Sequence, residues 1–224
     1  TKGACTFAPI TNPKFALAAV AFVAPVPPLF KDIAVPLQVP LLIVPTVVKL
    51  DSVIVGLSRM IKQTKPWVKF GISPFGVWRN SDKDPMGSNT KAGQTNYDDL
   101  YADILLWLKK DWIDYVAPQL YWEFGHKAAP YEVLIDWWSK HSYGKHCYIG
   151  LGIYRAGSSD VWKDSTLIPR QIELLRNTPN IQGMIFFSSK TFNKNPNGWN
   201  DSLRLHYFKE PALIPEMEWM IKKK

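Results

Sequence analysis

Four short apolar runs in this chain end in side chains that can hold a sugar. WVKFGISPFGVWRN (residues 67–80) leads from a buried-strand pattern into an indole, a guanidinium and an amide. The layout returns in YVAPQLYW (115–122), CYIGLGIYR (147–155) and IQGMIFFSS (181–189). Trp78 and Trp122 offer flat faces that can stack on the apolar side of a sugar ring. Arg79, Asn80 and Gln119 can hydrogen-bond its hydroxyls or an acidic substituent. Tyr121 stands beside Trp122, and Tyr154 and Arg155 occupy the same place at the end of the third run. Ser73, Ser188 and Ser189 read as structural groups at strand ends.

Cleaving a glycosidic bond takes two carboxyl groups, about 5–5.5 Å apart for retention or about 6.5–9.5 Å apart for inversion. The acid beside such a strand end is Glu123, directly after Tyr121 and Trp122. Two readings of it stay open: a catalytic acid or base, or a loop carboxylate paired with His126 or Lys127. No partner carboxylate for it is located by sequence. The histidines His126, His141, His146 and His206 lack the helical spacing of a zinc motif, so no metal is expected. There is no Gly-x-Ser-x-Gly elbow and no Gly-x-Gly-x-x-Gly turn after a strand, and no cofactor is expected.

Periodicity supplies the elements that position these groups. Ile54, Leu57, Met60 and Ile61 share a helical face, and Pro66 ends that helix ahead of a strand over 68–73. Asn96 is expected to cap a helix carrying Leu100, Ile104 and Leu108, and 115–121 is the next strand. Pro130 opens a helix over 131–141, on which Trp137 and Trp138 are expected to point one inward and one outward. A strand over 148–153, a helix over 169–177, a strand over 181–188 and a helix over 201–208 complete the series. Strict alternation predicts a parallel sheet in an α/β fold, and near-continuous apolar strands predict cover on both faces. The choice lies between a doubly wound sheet and a closed barrel.

Composition divides the chain. Residues 1–50 hold eight of the 18 prolines and one of the 13 glycines, and lack Trp, Tyr, Arg and Glu. So many prolines remove the ladder donors that regular strands need, and this part reads as extended apolar chain. The expected division is 1–50, a barrel segment over 51–215, and a tail over 216–224. The formal charge of +8 comes from Lys and Arg scattered along the chain, with one run at 222–224, which argues against a nucleic-acid partner. Two cysteines, Cys5 and Cys147, are too few for a disulfide framework, and one bridge between them stays open. The most apolar stretch, 15–30, is broken by Pro25, Pro27 and Pro28; no transmembrane segment is expected, and a secretion signal would lack a clear basic start.

The runs KPWVKFGISPFGVWRN (65–80) and DWIDYVAPQLYW (111–122), with GLGIY (150–154) and GMIFFS (183–188), occur in the order seen in the glycosyl hydrolase-like 10 family. The chain resembles that family from about residue 51 to 215. The resemblance implies a (β/α)8 TIM-type barrel of which this stretch is strands five to eight, and glycoside hydrolysis of a bacterial or dietary polysaccharide. It implies an amino-sugar polymer of the peptidoglycan type as first substrate, and an exported, extracytoplasmic bacterial protein. The family's first half should carry an acidic motif of adjacent aspartates; Asp32, the one acid in residues 1–50, stands in a different context. A whole barrel takes ~250 residues, so the expectation is an incomplete barrel or an atypical first half: either the chain is a fragment, or residues 1–50 are a misread version of the missing segment. Alternatives are a carbohydrate-binding barrel without catalysis and, third, a basic surface for anionic polymers. Oligomeric state is not readable.

Overall fold

The computed structural model describes residues 46–213 and 215–218. Most of the predicted extended segment, up to residue 45, and the end of the predicted tail lie outside it. Four strands form one parallel sheet: β1 (Gly71–Ile72), β2 (Tyr115–Val116), β3 (His146–Leu151) and β4 (Gly183–Phe186). Their order in the sheet is their order in the chain. Helices alternate with them: α1 (Thr46–Thr64), α2 (Ile104–Lys109), α3 (Tyr131–His141), α4 (Leu167–Asn177), and the short α5 (Ser189–Phe192) and α6 (Trp199–Ser202). The predicted alternation is therefore present.

Side chains two apart on a strand share a face. On one face Val116, Leu120, Cys147, Ile149 and Leu151 are fully buried, in one core with Leu134, Ile135 and Trp138 of α3 and Ile168, Ile172 and Leu175 of α4. On the other face Tyr115, Gln119, Tyr148 and Ile185 are half-buried. Isolated bridges carry the parallel pairing past the strand ends, from Phe75 to Gln119 and from Gln119 to Gly150. α1 is tied down by Lys62, which pairs with Asp114, while the same carboxylate accepts the backbone N–H of Phe70. Asp51 of α1 accepts the indole N–H of Trp107 on α2 at 2.6 Å.

Several expectations need correction. The helix placed after Asn96 starts at Ile104, and Asp103 caps it by accepting the N–H of Leu106 at 3.1 Å. Tyr101, with φ of 53°, breaks the run that Leu100 was expected to begin. Asn96 instead spends its amide on the carbonyls of Phe75 and Val77, which fixes the loop leaving β1. Trp137 and Trp138 are both buried, because the loop after β1 folds over α3 and accepts both indole N–H groups, on Met86 and Gly76. The helix expected over 201–208 divides into α6 and a π turn, Leu203–Tyr207. Cys147 is a buried free thiol, its pKa driven far up by burial; Cys5 lies outside the described residues. No helix among the described residues is long and apolar enough to cross a membrane.

Candidate functional site

A hollow of about 120 Å³ opens at the carboxyl ends of β1, β2 and β3, lined by Phe75, Gln119, Tyr121, Trp122, Tyr154 and Arg155. Backbone bonds between neighbouring strand ends bring these residues together. The N–H of Gln119 donates to the carbonyl of Pro74 at 3.0 Å, that of Leu120 to Gly150 at 3.0 Å, and that of Gly150 to Pro118 at 2.8 Å. Two glycines make room. A Cβ on Gly76 would lie 2.6 Å from both the carbonyl oxygen of Gln119 and the ring of Trp122. One on Gly152 would lie 2.9 Å from the Cβ of Tyr121. Both positions require a residue without a side chain.

The aromatic wall has two parts. Phe75 meets Trp122 edge to face at 5.3 Å between centroids. Tyr121, Tyr154 and Phe187 form a three-ring cluster: Tyr121 stacks on Phe187 at 5.8 Å, and Tyr154 packs edge-on against both. Tyr154 and Phe187 are 48% and 53% exposed, so they offer ring surface to solvent. Burial, with the nearby Tyr154 adding to it, pushes the Tyr121 phenol up to about 12, which keeps it a neutral hydroxyl at physiological pH. Sequence reading missed Phe75 and Phe187. Period-two spacing from Gly183 and Ile185 would have put Phe187 on the same face.

The polar groups are held from behind. Nε2 of Gln119 donates to the carbonyl of Ser73 at 3.2 Å, and the Ser73 hydroxyl in turn donates to the carbonyl of Ala117. Nη1 of Arg155 donates to the carbonyl of Tyr121 at 2.7 Å, and its guanidinium lies over the ring of the buried Trp162, 5.0 Å from the centroid. The indole N–H of Trp162 donates to Oε2 of Glu123 at 2.9 Å. Glu123 thus meets Trp162, while Nδ1 of His126 accepts the backbone N–H groups of Ala128 and Ala129.

Three of the sequence candidates lie elsewhere. Trp78 is 5% exposed and stacks in the core against Trp137 at 6.1 Å. Asn80 is buried and ties the loop together, donating to the carbonyl of Ala92 and accepting from Thr90 and the N–H of Ala92. Arg79 lines a second hollow of about 240 Å³ with Asp84, Tyr97, Asp103 and Lys109, which shares no lining residue with the first. There its charge is matched: two nitrogens reach Asp98 at 3.0 and 2.6 Å, a third reaches Asp84 at 3.0 Å, and the guanidinium sits over Tyr97. Arg79 thus lies apart from the hollow that Gln119, Tyr154 and Arg155 share.

The glycosyl hydrolase-like 10 family matches residues 40–167, more than half of the chain. The chain belongs to this family. It is 48% identical over 174 residues to the glycosyl hydrolase YngK of Bacillus subtilis (strain 168), a match covering 76% of this chain and 34% of that protein. It is 39% identical over 153 residues to the glycosyl hydrolase DigH of Escherichia coli (strain K12), covering 64% of this chain and 35% of that protein. The chain spans about a third of the length of these curated relatives. The family match includes every residue lining the strand-end hollow, together with Glu123 and Trp162, and ends ahead of β4 and Phe187.

Proposed function

We propose that this chain is the binding half of a glycoside hydrolase, strands five to eight of a (β/α)8 barrel, and that the strand-end hollow holds a sugar ring of a glycan. The barrel reading is supported by a sheet whose strand order follows the chain without the reversal of a doubly wound fold. A closed ring would also bury the half-exposed row of Tyr115, Tyr148 and Ile185. The single observation carrying the functional reading is the hollow itself, where aromatic rings, an amide and a guanidinium converge at the carboxyl ends of parallel strands. Phe75, Tyr121, Trp122 and Tyr154 supply the faces, and Gln119 and Arg155 the hydrogen bonds. Peptidoglycan-type amino-sugar strands are the first substrate to try, in an extracytoplasmic setting.

The test is release of new reducing ends from such strands by the purified chain, read beside direct binding of a chain fragment. Turnover supports the hydrolase. Binding without turnover favours a carbohydrate-binding barrel, a reading supported by a lining that, among the described residues, includes no carboxylate. Failure to bind any glycan rejects both.

A further inference from the structure

Resting on the sugar-binding reading of the strand-end hollow, we infer that Arg155 makes the site selective for a sugar bearing a carboxylate, and that Glu123 and Trp162 are positioning residues for its guanidinium.

The argument starts from what each arginine beside a hollow has for a partner. Arg79 is neutralised by Asp84 and Asp98. Arg155 has no carboxylate within ion-pair distance among the described residues. The residue is nevertheless half-buried, in a wall of aromatic rings. One N–H group goes to a neutral carbonyl, and one face of the guanidinium rests on an indole. Neither contact cancels the charge, and the remaining N–H groups form a planar fork matched to a carboxylate. An ion pair formed in a half-buried hollow is screened less than one at an open surface, so an anion entering here gains more.

The brace behind Arg155 explains how the fork is aimed. Tyr121 holds one edge through its backbone carbonyl, from the same residue whose ring forms the sugar platform with Tyr154 and Phe187. Trp162 holds the face, and its own orientation is set by the bond from its indole N–H to Glu123. The distance from ring platform to fork is therefore set by side chains that are themselves held. A sugar stacked on Tyr154 would bring a substituent of its ring within reach of Arg155, because both residues line the same small hollow.

The experiment uses the full chain and two probes: a tetrasaccharide alternating N-acetylglucosamine and N-acetylmuramic acid, and the same tetrasaccharide with its carboxyls reduced to alcohols. Isothermal titration should show the acid form binding on the order of tenfold more tightly, the scale of a charge-assisted hydrogen bond. Arg155→Gln should bind the two forms alike, and a far-ultraviolet circular dichroism spectrum matching that of the unaltered chain shows that the variant is folded. Glu123→Ala should reduce the preference, and Glu123→Gln, which retains an oxygen for Trp162, should restore it. Equal affinity of the unaltered chain for both probes, or a preference that survives Arg155→Gln, overturns the inference and leaves the sugar site standing. Binding of neither probe overturns the sugar site as well.

Discussion

The two hollows of this molecule present the same kind of residue in opposite electrostatic states. At the larger one, Arg79 lies between Asp84 and Asp98 and over Tyr97, with Trp78 and Trp137 stacked beneath the loop. At the smaller one, Arg155 rests on Trp162 and a backbone carbonyl, beside rings that remain half exposed. The first arrangement closes a loop on its helix and matches the guanidinium with two carboxylates. The second leaves a charge, an amide and two ring faces directed at whatever enters. A cluster of site-like residue types therefore says less than the partners those residues already have.

Substitutions can break this comparison. The largest effect is expected at Trp78: Trp78→Ala removes a core indole and should lower the unfolding free energy by about 3–5 kcal/mol in a denaturant titration. Tyr154→Ala, at an exposed ring, should change it by less than about 0.5 kcal/mol. If the two costs came out alike, the division into a packed and an open hollow would be wrong. Next, Gly76→Ala should cost about 1–3 kcal/mol, since the added methyl meets the Gln119 carbonyl and the Trp122 ring. An unchanged melting temperature would mean that these strand ends can separate freely.

Smaller effects sharpen the account of the Arg79 side. The hydrogen bond from Arg79 is the main cause that holds the Asp98 carboxyl below its ordinary value of 3.8, against a smaller opposing effect of burial. A lowered carboxylate pKa contributes stability at neutral pH that is lost as pH falls through the folded value. Asp98→Asn should therefore be less stable than the unaltered chain at pH 7, with the two curves converging below pH 3.8. A gap that persists in acid would point to lost packing. A small effect is also expected at Asp103, whose carboxyl is raised above its ordinary value, first by burial and then by the nearby Asp51. Asp103→Asn keeps an oxygen to cap Leu106 and removes the buried charge, so thermal unfolding should place it within about 1 kcal/mol of the parent at pH 7. A much larger loss would show that the charge itself holds the cap.

Much of the fold was legible because it depends on period and punctuation. α3 matches its predicted span, since Pro130 sits at its N-cap, just ahead of the first turn, and Leu134, Ile135 and Trp138 recur on one face. α2 was misplaced because Leu100 happens to fall in register with Ile104 and Leu108, whereas the positive φ at Tyr101 is invisible in a string of letters. The site divided in the same way. Gln119, Tyr121, Trp122, Tyr154 and Arg155 lie where strand ends were expected, and the structure places them in one hollow. Trp78 and Asn80 have equally suggestive identities but point into the core and into their own loop.

From its letters alone, this protein was bound to alternate helices with apolar strands and to collect aromatic and amide groups at the strand ends. Those properties follow from local spacing and from chain direction. Only the tertiary structure decided which of those groups face a shared space, because that depends on long-range pairing. Asp98 lies 19 residues beyond Arg79, and Trp162 lies 39 residues beyond Glu123. Charge neutralised in one place and left available in another is a property of such contacts, and they exist only once the chain is folded.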